Sequence, residues 1–320
     1  MKNTGTPIKR AEIVGSLLRP PYLLEARQAH DEGRIGPAEF KRIEDRAVDA
    51  AFAMQEGAGL DVVSDGELRR FSFFDHLESQ INGVAQMSGP PVTFHGEDSG
   101  QDWDFQSQVS VVDKISRKRM MTVEEFAYAR AVARQPVKAM LPSPLLMYIS
   151  WSPEHSKDAY PDPFELFADG ARLIREEAEE LARIGCTYIQ IDAPDLGSLV
   201  DPENRGLRES MGMSTERTLS EGIDIINSIA DIPGVTFGIH LCKGNYAGTW
   251  ISSGGYEMLS ETLFQRATNF DVFLLEYDDP RSGSFEPLAK MPDDKTVVLG
   301  LVSSKRPELE SSDGLVKRID

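Results

Sequence analysis

The sequence is poor in the residue types that carry most side-chain chemistry. Among 320 residues there are two cysteines, five histidines and three tryptophans. Two cysteines, Cys186 and Cys242, cannot build a disulfide framework, which excludes the small stapled secreted scaffolds. Basic residues are also in deficit: 34 lysines and arginines face 52 acidic residues, for a formal net charge of −18. That balance lacks the basic footprint of a nucleic-acid binder, so no nucleic-acid partner is expected. No apolar run approaches the length of a membrane span, and residues 1–10 hold no apolar signal core. No membrane association is expected. The expected compartment is the cytoplasm, and the expected ligands are small molecules.

What is present is a rhythm. Strand-like runs over 12–16, 60–65, 137–141, 187–192, 235–242, 271–276 and 296–302 are separated by helical patterns over 22–32, 37–56, 163–184, 214–230 and 258–268. Such alternation predicts parallel pairing through right-handed crossovers. The expected fold class is α/β, a TIM (β/α)8-type barrel forming a single domain over 1–320. Residues 71–135 interrupt the rhythm with turn signals, a strand over 106–112 and a helix over 123–133. They read as a hairpin-like insertion after strand two, too polar to hold a core of its own. The count reaches seven strands, with the start of a helix at 315–319. A last strand is expected beyond this chain, which therefore reads as shortened at its C-terminus. An open or seven-stranded barrel, or a strand hidden in the insertion, is the alternative.

The run around His240 organises the site. Val235, Phe237 and Ile239 are strand formers, and Gly244 ends the pattern. Residues i and i+2 of a strand share a face, so His240 and Cys242 project together, as half of a zinc site. The plain alternative is a satisfied histidine beside a buried free cysteine. Glu276 ends the next predicted strand, and adjacent strand ends lie about 5 Å apart, so it can complete a His/Cys/Glu set. Its alternative is an ion pair with Arg281. Glu67 and Asp192 also end predicted strands, at the face where a TIM barrel keeps its active site. Two carboxylates beside a metal suit a substrate amine. Against that, Glu67 can pair with Arg69 or Arg70, and Asp192 can cap the turn at Ala193-Pro194. Gly15 and Ser16 can offer backbone N–H groups to a carboxylate, and Trp151 can stack on a flat ring or simply pack. Cys186 lies at a strand entrance and reads as structural. His30, His76, His95 and His155 have no partner legible in the sequence.

These residues resemble the catalytic domain of cobalamin-independent methionine synthase, in the barrel superfamily that includes uroporphyrinogen decarboxylase. The matching pieces are Ile13-Val-Gly-Ser16, Asp65-Gly-Glu67, Pro142 to Trp151, Ile189-Gln-Ile-Asp192, Ile239-His-Leu-Cys242, Leu275-Glu276 and Gly300-Leu-Val302, in family order along nearly the whole chain. The resemblance implies a TIM barrel, bound Zn2+ and transfer of a methyl group to a thiol, homocysteine giving methionine. By resemblance His240, Cys242 and Glu276 are metal ligands, and the fourth ligand, a cysteine on the family's last strand, falls past Asp320. Glu67 and Asp192 correspond to the contacts to the homocysteine amine, and Gly15-Ser16 to the segment at its carboxylate. Lys305 aligns where the family has a histidine proposed as proton donor. The N-terminal barrel that helps hold a polyglutamyl folate has no counterpart here, so the implied methyl donor is either a folate or a methylated corrinoid protein. Alkyl transfer to another thiol such as coenzyme M, a metal-free decarboxylase of the related family, and a non-catalytic barrel are the competing readings.

Overall fold

A computed structural model describes residues 11–96 and 101–319, and the side chain of His76 lies outside what is described. The N-terminal residues 1–10, read above for a signal core, also lie outside it. The first layer is helical: Pro21–Asp31 and Pro37–Gly57 pack through Leu23, Val48, Ala51 and Phe52. Both begin with proline at the first turn, where its missing N–H costs nothing.

The interruption after residue 71 is a pair of antiparallel ribbons. Strand β1 (Ile81–Gln86) pairs with β4 (Val109–Arg117), and β2 (Pro91–Phe94) pairs with β3 (Trp103–Gln106). The helix Val123–Val132 follows. The strand expected over 106–112 is thus divided between β3 and β4.

The central sheet is parallel and five-stranded: β5 (Ala139–Pro142), β6 (Tyr188–Asp192), β7 (Thr236–Leu241), β8 (Val272–Glu276) and β9 (Thr296–Gly300), in that spatial order. These five strands are the third to seventh of the expected set. The first two differ. Residues 60–65 contribute one parallel bridge, Val63 to Val137, beside β5. Among the described residues 12–16 form no strand. Their carbonyls are bonded by side chains instead: Lys138 Nζ donates to Ile13 O and Gln190 Nε2 to Val14 O, each at 2.7 Å. Strand propensity needs a neighbouring ladder, and here buried side chains satisfy the backbone in its place.

Period-two alternation sorts the sheet into two faces. Ile189, Ile191, Phe237, Ile239, Leu241, Phe273 and Leu275 share a buried apolar core with Leu166, Ile174 and Leu181 of the helix Pro163–Arg183. The other face carries Gln190, Asp192 and His240. Its register fixes the site: Asp192 pairs with His240 across β6 and β7, and Leu241 pairs with Leu275 across β7 and β8. Cys242 and Glu276 are each one residue further on.

The helix expected over 214–230 is broken into Thr215–Arg217, a π-type turn Thr218–Gly222 and Ile223–Asn227. Thr218 and Ser220 hydroxyls donate to the carbonyls of Ser214 and Glu216, at 2.9 and 2.8 Å, and such bonding bends a helix. The helix expected over 258–268 is likewise two short pieces, Glu257–Ser260 and Leu263–Arg266.

Gly197 lets the turn after β6 approach the end of β7. A Cβ there would overlap the Cys242 carbonyl oxygen and lie 3.2 Å from the Cys242 nitrogen, backbone atoms that cannot swing aside. Gly197→Ala is therefore expected to destabilise the fold by about 1–3 kcal/mol, the usual cost of overpacking. Chemical denaturation at pH 7 checks this, and an unchanged midpoint would show that the turn yields freely.

Candidate active site

His240, one residue before the end of β7, has its Nδ1 2.9 Å from Asp192 Oδ1. The same oxygen accepts from Gln190 Nε2 at 2.6 Å. Asp192 therefore does not cap the following turn; its carboxylate orients the imidazole. With Nδ1 donating, Nε2 is left as the ring's lone-pair nitrogen, and it has no hydrogen-bond partner among the described residues. That is the usual support of a metal-binding histidine.

Cys242, two residues on, is half-buried, and its sulfur accepts from the Gly244 N–H. Burial first, then the carboxylates of Glu276 and Asp192, push its thiol up to about 12. A thiol so placed has little thiolate character of its own and gains it from a cation.

Glu276 ends β8. Its Oε2 accepts from the Lys243 N–H at 2.7 Å, which places the carboxylate against the residue following Cys242. Its Oε1 receives Lys305 Nζ at 2.9 Å and Arg281 Nη2 at 3.3 Å. The sequence reading allowed for Arg281 but not for Asp278, whose Oδ2 lies 2.9 Å from Lys305 Nζ and which also accepts from Ser303 Oγ at 2.8 Å. The signal for Asp278 was present: it lies at i+2 from Glu276 and follows the same alternation. Burial opposes the charge of Lys305, but Glu276 and Asp278 outweigh it and hold the ammonium above its ordinary range. Lys305 is thereby kept protonated.

Imidazole, thiol and carboxylate are the donor kinds that zinc takes, and they come from neighbouring strand ends. Among the described residues, however, no three histidine, cysteine, aspartate or glutamate side chains converge closely enough to hold an ion. The two oxygens of Glu276 are turned to Lys243, Lys305 and Arg281. The donors fit the ion in kind.

Glu67 sits on a tight turn with φ +55°, after Gly66 at φ +66°. Left-handed backbone is costly for glutamate, and the turn is over-determined by its bonds. Asp65 Oδ1 accepts from the Glu67 N–H at 2.9 Å, Ser64 Oγ from the Gly66 N–H at 3.2 Å, and Arg19 donates to the Glu67 carbonyl at 3.1 Å. The Glu67 side chain is fully buried, paired with Arg70 at 3.1 Å and hydrogen-bonded by Ser16 Oγ. Arg70, equally buried, also holds Glu125 at 3.0 Å. Burial first, opposed by Arg70 and reinforced by Asp192, raises Glu67 to about 7. Ser16 is thus bonded to Glu67, and Asp192 lies near enough to act on its charge. Trp151 is set apart: it is buried in the core and donates its indole N–H to the Tyr160 carbonyl at 3.1 Å, so its face serves packing.

Of the other side chains, Cys186 is buried, its sulfur 3.2 Å from the Tyr188 carbonyl. His95 does have partners: Asp102 at 3.0 Å and the Trp250 ring at 4.6 Å between centroids. Among the described residues no helix is long and apolar enough to cross a membrane.

Residues 11–320 match the family described as the catalytic domain of cobalamin-independent synthase. The chain is 31% identical over 317 residues to the uncharacterized protein YxjH of Bacillus subtilis (strain 168), covering 97% of this chain and 82% of that one. It is 26% identical over 314 residues to the methionine synthase of Pyrococcus abyssi (strain GE5 / Orsay), covering 98% and 81%. The solved B12-independent methionine synthase from Shewanella sp. W3-18-1, in complex with selenomethionine, has the same fold at a TM-score of 0.71. It is 22% identical, and the match covers 89% of this chain and 79% of that one. The chain belongs to the cobalamin-independent methionine synthase catalytic-domain family, a family of methyltransferases.

Proposed function

We infer that this protein is a zinc-dependent S-methyltransferase that passes a methyl group to homocysteine, and that its sheet is the arc of a (β/α)8-type barrel. The observation that carries the reading is the register at the strand ends. Asp192 orients His240, Cys242 stands two residues on, and Glu276 meets the same level from β8.

His240, Cys242 and Glu276 would hold the ion. When bound, zinc would lower the pKa of a coordinated substrate thiol and so supply the nucleophile. The chain's own residues then orient the substrate. Glu67 and Asp192 would present two carboxylates to the amine, and Asp192 is close enough to raise Glu67. Gly15 and Ser16 lie beside Glu67 and can receive the substrate carboxylate through backbone N–H groups. A sulfur–carbon bond forms as the methyl group leaves its donor, a folate or a methylated corrinoid protein, and the thiol proton is released. Lys305 is a poor proton donor here, because two carboxylates stabilise its charged form.

The test is metal analysis followed by X-ray absorption. One equivalent of zinc, with an edge that shifts when homocysteine is added, is the expected result. An edge indifferent to homocysteine would remove thiol transfer from consideration.

A pH dependence follows from Glu67. Its folded value of about 7 lies above the ordinary 4.5, so it takes up a proton as pH falls through 7. An ammonium pairs with the ionised form. The preference for homocysteine over a thiol lacking the amine is therefore expected to fall between pH 8 and pH 6, approaching tenfold per unit below the midpoint. Using the ratio of the two affinities cancels titration of the thiols. A flat ratio would show that Glu67 does not read the amine.

A further inference from the structure

We propose that Lys305 acts as a competing cation on Glu276, so that metal binding and the Lys305–Glu276 ion pair exclude one another, with Asp278 as the place to which the displaced ammonium retires. The proposal rests on the reading of Glu276 as a metal ligand.

Three donors already converge on Glu276. Oε2 takes the Lys243 backbone N–H, while Oε1 takes both Lys305 Nζ and Arg281 Nη2. The Lys305, Glu276 and Arg281 side chains are 7–10% exposed, so these are desolvated pairs rather than surface contacts. A carboxylate that neutralises an ammonium at 2.9 Å gives up part of the negative charge it would offer an ion.

The two cations are not equivalent. Arg281 is held independently of Glu276: it pairs with Asp279 at 2.8 Å, donates to the Ser252 carbonyl at 2.9 Å and lies 4.8 Å from the Trp250 ring centroid. Lys305 has only carboxylates at its ammonium, Glu276 and Asp278, each at 2.9 Å. Asp278 also has a spare acceptor, since its Oδ1 is buried without a hydrogen-bond partner among the described residues. Lys305 can thus release Glu276 without becoming an unpaired buried charge. This makes Lys305 a positioning residue that sets how readily Glu276 is yielded to the metal, in place of the proton-donor role its alignment suggests.

The test compares zinc affinities by chelator competition in the wild type, Lys305→Met and Lys243→Met. Lys243 is the control: its ammonium is buried near Cys242 and Glu276 yet hydrogen-bonds to nothing among the described residues. Removing it deletes the same charge without freeing Glu276. Lys305→Met is expected to bind zinc roughly tenfold to a hundredfold more tightly than wild type, the worth of one charge-assisted hydrogen bond to a competing donor. Lys243→Met is expected to show a smaller rise. Equal rises in the two variants, or none in Lys305→Met, would overturn the competition. A second measurement needs no variant: amine-reactive labelling of Lys305 in the wild type should accelerate when zinc is added, and an unchanged rate would count against release. A wild type that retains no zinc would instead bring down the metal reading itself, and the competition with it.

Discussion

Cys242→Ala is expected to lower zinc affinity by roughly 10²–10³-fold. Structural zinc sites are worth about 10–16 kcal/mol over four donors, or about 2.5–4 kcal/mol for each. On the proposed reading Cys242 is the soft donor of the set, and two features support that reading. Its thiol is pushed up to about 12 by burial and by the neighbouring carboxylates of Glu276 and Asp192, and a bound divalent ion reverses that penalty. Its position two residues beyond His240 puts both side chains on one face of β7 and its continuation. The matched control is Cys186→Ala. That residue is buried more fully than Cys242, its sulfur is directed at the Tyr188 carbonyl, and it has no place at the C-terminal strand ends. Zinc content after gel filtration, with chelator competition for the affinities, gives the comparison. Equal retention by wild type and Cys242→Ala would end the assignment of this residue as a ligand.

The positions that sequence reading located well are those where a local rule and the tertiary arrangement agree. The run expected over 235–242 folds as Thr236–Leu241, and the run over 271–276 as Val272–Glu276. Both are short and largely apolar, with a polar residue at or next to the end, so their ends could be aligned without knowing their neighbours. The Asp192–His240 bond was not foreseen, although both residues were marked, because it depends on the parallel register of β6 and β7. Residues 12–16 have strand composition but no ladder beside them, and Lys138 and Gln190 bond their carbonyls instead. Lys138 and Gln190 are 125 and 176 residues away from the carbonyls that they bond. The grip of Lys305 on Glu276 spans 29 residues and two loops, and no periodicity reports it. The broken helix after Ser214 is different: serine and threonine in its first turns are a local signal of bending, which was there to be read.

Asp192→Asn is expected to act twice, and the two effects separate by measurement. Asp192 Oδ1 accepts from His240 Nδ1, and removing its charge removes the carboxylate that orients the imidazole toward a ligand at Nε2. Loss of such a supporting carboxylate typically costs 10–100-fold in metal affinity, so zinc binding should weaken by roughly that amount. The same carboxylate acts on the charge of Glu67, and a neutral amide cannot form an ion pair with an ammonium. Homocysteine should therefore lose affinity by at least about tenfold more than a thiol lacking the amine, when both are measured with zinc saturating. Glu67→Gln supplies the contrast. It touches Ser16 and Arg70 but not His240, so it should reduce the same discrimination and leave zinc affinity as it was. Arg70 keeps its pair with Glu125 in that variant, which protects the fold. If both substitutions weakened zinc equally, the Asp192–His240 bond would not be what supports the metal. If neither changed the ratio between the two thiols, the acidic pair at this mouth would have no part in recognising the substrate amine.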